Sequence, residues 1–192
     1  MKTNEQSGGA TPVLVLLSGG LDSTACLDFY LSQRCSVRAL YFQYGQAAAK
    51  REREAAERVS HHYGVPLQVV ACRGSGKKGK GEVLGRNAFL LSAAMMESAG
   101  ANIVAIGVHA GTSYYDCSPQ FIEWMQRILD AYSSGCVRIG TPFLTWTKRD
   151  IWDYCLQRAV PLALTYSCEL GMDQPCGQCL SCHDLEVLHA GT

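Results

Sequence analysis

The sequence predicts an α/β fold: a doubly wound, mostly parallel five-stranded sheet with a small cysteine-bearing knuckle at the C-terminal end. Three observations carry this. Short apolar runs alternate with helical segments of about a dozen residues between Val13 and Leu164, the pattern of crossover units on a parallel sheet. The first apolar run closes on Gly19-Gly20, directly before a helix. Four cysteines crowd between Cys168 and Cys182.

Taken in order, Val13–Ser18 reads as a buried strand entering a tight turn. Asp22–Gln33 follows, with Ala25, Cys26, Phe29 and Tyr30 at helical spacing. Val37–Phe42 is a second strand. Gln46–Tyr63 is a charged helix whose run Lys50, Arg51, Glu52, Arg53, Glu54, Glu57 and Arg58 reads as a solvated face. Gly64-Val65-Pro66 ends it, and Leu67–Ala71 is the third strand. Arg73–Gly85, with five glycines among Lys77, Lys78 and Lys80, reads as a mobile basic loop. Asn87–Ala99 is an apolar helix and Ile103–Val108 the fourth strand. Ser118-Pro119 is the favoured order at the start of the next helix, Ser118–Ala131. Val137–Leu144 supplies the fifth strand. Thr147–Arg158 closes the series, with Thr147 and Asp150 spaced as in a capping box. No repeat and no internal linker interrupts the chain, so residues 11–164 are expected to form one domain and 165–192 a metal-bearing tail.

The 192 residues suffice for one such domain. Lysine plus arginine and aspartate plus glutamate both number 17, which argues against a chain-wide footprint for nucleic acid or anionic membrane. Apolar residues at 47% exclude disorder over most of the length. The polar start shows no signal peptide, and no apolar run reaches the ~18 residues of a membrane span. A reducing cytoplasmic setting is therefore expected, in which ten cysteines mean buried thiols plus a metal or redox site.

Leu17-Ser18-Gly19-Gly20-Leu21-Asp22-Ser23 is the sharpest signal. Two glycines allow a tight turn and close backbone approach, and the amides opening the next helix favour an anion. Ser18 and Ser23 add hydroxyl donors. Asp22 fits such a site if it holds Mg²⁺ or accepts from a helix-start amide. The loop lacks the Gly-Lys-Ser/Thr end of a Walker A sequence and the third glycine of a dinucleotide fingerprint. The plainer alternative is a Gly-Gly turn capped by Asp22.

Cys168, Cys176, Cys179 and Cys182 form C-x7-C-x2-C-x2-C, with Gly177 in the turn. This suits a closed, structural Zn²⁺ knuckle. An iron–sulfur cluster is the competitor, but the ferredoxin continuation x3-C-Pro is missing. Cys26, Cys35, Cys72, Cys117, Cys136 and Cys155 are scattered, and most are expected to serve packing.

The Ser-Gly-Gly-x-Asp-Ser loop resembles the PP-loop pyrophosphatases, of the adenine-nucleotide α-hydrolase fold type, which cleave ATP to AMP and pyrophosphate. With the cysteine tail, the chain resembles the QueC family of 7-cyano-7-deazaguanine synthases along nearly its whole domain. Tyr44-Gly45-Gln46, Gly85-Arg86-Asn87, Gly107-Val108, Tyr114-Tyr115-Asp116-Cys117 with Phe121, Thr147-Lys148-x-Asp150-x-Trp152 and Thr165-Tyr166-Ser167-Cys168 follow that family's pattern. The resemblance implies that a carboxylate on 7-carboxy-7-deazaguanine is adenylated and aminated by ammonia to the amide. The amide oxygen is then adenylated and lost, leaving the nitrile. On this basis Ser18, Gly19, Gly20, Leu21, Asp22 and Ser23 are expected to hold pyrophosphate and Mg²⁺, with Tyr41, Gln46 and Gly107 completing the ATP site. Arg86 and Lys148 are the expected cations near phosphate or the substrate carboxylate. Lys148 would sit in a first helical turn, where the dipole disfavours a cation. Asp116 would accept from a guanine-like edge, or else cap a helix. A homodimer is the expected assembly.

The chain departs from the family in its short, Gly/Lys-rich stretch before Gly85, in the short loop His109-Ala110-Gly111-Thr112-Ser113, and in Ser118 where arginine is usual. These fall where the base would be recognised. Two further readings therefore stay open: a paralogue joining the adenylated acid to an amine on a protein or nucleic acid, or stopping at the amide, and a non-catalytic zinc-bearing nucleotide-binding module.

Overall fold

The computed structural model describes residues 9–73, 76 and 81–190. The lysines of the basic loop, Lys77, Lys78 and Lys80, lie outside the described residues, as does the polar start up to residue 8.

Five parallel strands form the sheet: β1 (Pro12–Leu16), β2 (Ser36–Gln43), β3 (Leu67–Ala71), β4 (Ile103–Ala105) and β5 (Arg138–Gly140), in the order β3-β2-β1-β4-β5. Val13 at the centre pairs with Val37 on one side and Ile103 on the other. Because strand side chains alternate between faces, the sheet feeds two cores. Val13, Val15, Ala39, Tyr41 and Ala105 pack under α1 (Leu21–Ser32), α2 (Ala49–Tyr63) and α5 (Lys148–Gln157). Leu14, Leu16, Leu40, Phe42, Val104 and Ile106 pack under α3 (Arg86–Met96) and α4 (Pro119–Ser133). The doubly wound arrangement predicted from the alternation is the one observed.

The helix starts follow their sequence signals. Ser118 Oγ accepts the Phe121 N–H at 3.2 Å with Pro119 in the first turn of α4. Thr147 and Asp150 form the reciprocal capping box of α5: Asp150 N–H donates to Thr147 Oγ1 (3.2 Å) and Thr147 N–H to Asp150 Oδ2 (2.8 Å).

The last two strands are shorter than read from the sequence. β4 stops at Ala105 because Gly107 turns onto the start of α1; a Cβ there would lie 2.6 Å from the Asp22 carbonyl oxygen. β5 stops at Gly140, ahead of Pro142, which has no N–H to continue the ladder.

The segment beyond residue 164 carries a helix that the sequence reading does not anticipate, α6 (Leu180–Ala190). Its Leu188 is buried in the first core with Leu185 packed alongside, and His189 stacks edge-on against Trp152 at 4.8 Å. The i, i+3 spacing of Cys182, Leu185 and Leu188 is the available signal. It is masked because Cys182 also completes the cysteine spacing of the knuckle. Among the described residues no helix is long and apolar enough to cross a membrane.

Candidate active site

The strand order reverses between β1 and β4, and a cleft of about 290 Å³ opens there beyond the carboxyl ends of the strands. Its floor is the turn from β1 into α1. Gly19 has φ +79°, and a Cβ on it would lie 2.6 Å from the Ala56 nitrogen and 2.7 Å from the Glu52 carbonyl oxygen. This glycine therefore lets the turn lie directly on α2. It is not among the residues that line the cleft, whereas Ser18, Gly20, Leu21, Asp22 and Ser23 are.

Gly20 is the N-cap of α1, and no side chain caps that helix. The first-turn N–H groups have no partner within the helix, so they face the cleft end of the dipole unpaired by any cap. Ser23 Oγ–H donates to the Gly20 carbonyl at 3.0 Å and stands 3.1 Å from Ser18 Oγ, which fixes both hydroxyls at the turn.

Asp22 does not cap α1. Its carboxylate takes Lys148 Nζ on both oxygens, at 2.7 and 2.6 Å. This contact explains a lysine in the first turn of α5: the opposite charge of Asp22 outweighs the unfavourable helix dipole. His109, 5% exposed, points Nε2 at Asp22 Oδ2 from 3.7 Å. Its Nδ1 accepts the Gly111 N–H at 3.0 Å, so the neutral ring carries its proton on Nε2. Burial pushes the His109 pKa down, and Lys148 adds to this while Asp22 opposes it. His109 is not among the site residues expected from sequence; a lone histidine in a loop carries no sequence signal of its own.

The opposite wall is built from the end of β2 and the starts of α2 and α3. Gln46 is clamped by accepting the Tyr44 N–H (2.8 Å) on Oε1 and donating from Nε2 to the Phe42 carbonyl (3.0 Å). Its Nε2 also has Glu52 Oε2 at 2.8 Å and Tyr41 Oη at 3.1 Å, so its two N–H groups are shared among three acceptors. Glu52 thus departs from the solvated face expected of its charge run: α2 turns this one carboxylate into the cleft. Burial pushes its pKa up, opposed by the bonds from Gln46 and Tyr41 and by the charge of Arg86. Arg86 lines the cleft beside it and donates from Nε to Asn87 Oδ1 at 3.2 Å.

Asp116 is placed differently from the expectation that it reads a base edge. It is not among the cleft-lining residues. Its Oδ2 accepts the Asn87 N–H at 3.1 Å, and its carbonyl accepts from Asn87 Nδ2 at 3.0 Å. Asp116 caps α3 from a neighbouring segment and so fixes the backbone that carries Arg86. Gly107, Tyr41 and Gln46 line the cleft.

The tail closes the remaining side. Tyr166 N–H donates to the Gly19 carbonyl at 2.9 Å, and Ser167, Glu169, Ser181 and Asp184 line the cleft. Beyond them the Sγ atoms of Cys168, Cys176, Cys179 and Cys182 lie within 4.8 Å of one another. Cys176 and Cys182 are 3.8 Å apart, the sulfur spacing of a tetrahedral shell with Zn–S of about 2.3 Å. Gln178 and Cys179 N–H groups donate to Cys176 Sγ at 3.4 and 3.3 Å, and these bonds lower its pKa. Burial raises Cys168, but the N–H donors of Leu170 and Cys176, with the Cys176 and Tyr166 side chains, outweigh it and bring the thiol to about 6. The donor set and spacing fit a thiophilic metal ion. Of the other cysteines, Cys26, Cys117 and Cys155 are buried and Cys136 is exposed; Cys117 lines the cleft rather than only filling the core.

The sheet and loop geometry are of the PP-loop, adenine-nucleotide α-hydrolase type. Two solved structures share the fold. A predicted subunit of a tRNA methyltransferase from Methanocaldococcus jannaschii has TM-score 0.54 at 13% identity, covering 77% of this chain and 76% of that one. NMN synthetase from Francisella tularensis has TM-score 0.51 at 15% identity, covering 95% and 78%. At these identities the likeness concerns the fold alone. Sequence relatives are nearer. The 7-cyano-7-deazaguanine synthase of Methanoculleus marisnigri is 35% identical over 198 residues, covering 88% of this chain and 89% of that one. That of a Synechococcus species is 31% identical over 214 residues, covering 95% and 96%. The family described as queuosine biosynthesis protein QueC matches residues 12–80 and 75–186. Sheet order, turn, cysteine cluster and relatives agree: the chain belongs to the QueC family.

Proposed function

We propose that this chain is an ATP-dependent, AMP-forming C–N ligase acting on 7-carboxy-7-deazaguanine and ammonia. It forms first the amide and then the nitrile, 7-cyano-7-deazaguanine. The observation that carries the reading is the convergence on one cleft of the uncapped first turn of α1, the Asp22–Lys148 pair and Arg86.

The work asked of the protein is positional and electrostatic. An oxide is a poor leaving group; transfer of AMP to it turns it into a good one and releases pyrophosphate. The amides of Gly20–Ser23 and the hydroxyls of Ser18 and Ser23 hold pyrophosphate oxygens, with Gly19 and Leu21 shaping the turn. Lys148 shifts from Asp22 toward the phosphates as they arrive. One carboxylate plus phosphate oxygens is a donor set that suits Mg²⁺, and Asp22 would supply that carboxylate. Mg²⁺ held there would supply positive charge opposite the pyrophosphate oxygens. Arg86 meets the substrate carboxylate or the α-phosphate, and Tyr41, Gln46 and Gly107 border the bases. Cys168, Cys176, Cys179 and Cys182 would hold Zn²⁺ in a closed structural role.

The test is product mass. Zinc-loaded protein with ATP, Mg²⁺, the deazapurine acid and ammonia should release AMP and pyrophosphate and yield the nitrile. No AMP with acid and ammonia both present overturns the proposal. A second reading is favoured by the alignment with the Methanoculleus relative, whose 198 positions take in only 88% of this chain, so that the relative has insertions this chain lacks. A more open cleft would admit an amine on a protein or nucleic acid, and the same spectrum would then show an amide conjugate. A non-catalytic module would be unaffected by Asp22→Asn and Ser23→Ala.

A further inference from the structure

Four carboxylates line the cleft, Asp22, Glu52, Glu169 and Asp184, and Glu52 is the one that a clamped amide, Gln46, holds in place. Asp22 is closed by Lys148. Glu169 is occupied by the Gly81 N–H at 2.8 Å and the Ser181 hydroxyl at 3.1 Å. Glu52 differs. Tyr41 has a single proton, and the Ala49 carbonyl at 2.7 Å is a nearer acceptor than Glu52 Oε2 at 3.4 Å. That leaves Glu52 one strong donor, Gln46 Nε2 at 2.8 Å, on Oε2. Its Oε1 accepts from no group among the described residues, yet it is not sealed from solvent: among the described residues the side-chain oxygen and nitrogen atoms both buried and unpartnered are Thr112 Oγ1 and Trp152 Nε1.

A carboxylate offers about four lone-pair sites, so a part-buried one whose donors, Gln46 and more weakly Tyr41, both fall on Oε2 keeps Oε1 as an open acceptor. The clamp on Gln46 by Tyr44 N–H and the Phe42 carbonyl fixes where that acceptor stands. Arg86 places positive charge beside it, which disfavours an incoming ammonium and favours a neutral N–H donor.

We infer that Glu52 reads the amino edge of a purine-type base through Oε1. Both substrates of the proposed reaction carry such an edge: the 6-amino group of adenine, and the 2-amino group with N1–H of deazaguanine. The inference rests on the proposed substrates and adds a specificity residue to them.

The test swaps acceptor for donor. In Glu52→Gln, Gln46 continues to donate to the remaining oxygen, so the new NH₂ faces the cleft. Affinities for ATP and ITP, and for 7-carboxy-7-deazaguanine and its 2-oxo counterpart, are measured by calorimetry without turnover. The wild type should prefer the amino member of one pair by roughly 10–100-fold, the range for a hydrogen bond to a charged group. In the variant that preference should collapse or invert, and the pair that responds identifies the base. Equal wild-type affinities within both pairs overturn the inference even if the variant fails to fold. So does a folded variant with unchanged preferences. If the wild type turns over but does not discriminate, only Glu52's role falls; if it binds neither ATP nor the acid, the proposed function falls with it.

Discussion

Replacing Gly19 by alanine tests whether the turn is held by close approach to α2. Two costs apply. The residue sits at φ +79°, where a Cβ costs about 1–2 kcal/mol. The Cβ would also meet Ala56 N, Glu52 O and Ala55 Cβ at 2.6, 2.7 and 2.8 Å. Carbon contacts normally settle near ~3.5 Å, so the turn must retreat from α2 by most of an ångström, at an overpacking cost of about 1–3 kcal/mol. Gly64 supplies the control: its φ is +64°, but nothing lies within 4 Å of where its Cβ would stand. Gly64→Ala should therefore cost only the backbone share, about 1–2 kcal/mol, and Gly19→Ala about 2–5 kcal/mol. At roughly 2–4 °C per kcal/mol for a chain of this size, thermal melting resolves the difference. Nucleotide affinity measured by calorimetry should fall for Gly19→Ala alone, because only there are the α1 amides displaced. Equal melting temperatures and equal affinities for the two variants would refute the argument.

Other outcomes follow from particular contacts. Chelation of the metal should remove one ion per chain and increase amide exchange at Tyr166 and in α6. In small peptides such sites contribute ~10–16 kcal/mol, and the tail donates directly to Gly19. Thr147→Ala removes the acceptor for Asp150 N–H and should cost about 1 kcal/mol in denaturant titrations. Asp28→Ala strips a buried carboxylate from Tyr154 Oη (2.7 Å), Arg158 Nε (3.1 Å) and Tyr63 Oη (3.3 Å). It should lower stability by about 1–3 kcal/mol while leaving nucleotide affinity intact, since Asp28 is not among the residues that line the cleft. His109 is buried neutral with its pKa below the ordinary value, so the unfolded chain binds the proton more readily. Its contribution is complete above the unfolded pKa near ~6.5 and is lost as pH falls below it. His109→Gln should flatten the stability loss between neutral and mildly acid pH; an unchanged slope would mean the imidazole does not titrate on unfolding.

Local signals carried much of this protein. Alternating apolar runs determined a parallel, doubly wound sheet, because burial on both faces demands strands apolar throughout. Ser118-Pro119 and Thr147/Asp150 determined two helix starts, since their bonds span only three residues. The tight turn at Ser18–Ser23 and the clustering of four cysteines were legible because backbone geometry and close sequence spacing are themselves short-range. What the tertiary structure decided depends on contacts between distant segments. Lys148 reaches Asp22 across 126 positions, and Asp116 reaches Asn87 across 29. Those two contacts place residues that type alone left open: Asp22 pairs with Lys148 rather than capping α1, and Asp116 holds the start of α3 through Asn87. Glu52 is one charge in a charged helix until α2 is laid across the turn at Gly19, and only then is it the carboxylate that enters the cleft. Charge patterning records how often a helix meets water; which single residue on it faces inward is set by the packing angle against the sheet, and no stretch of α2 encodes that angle by itself.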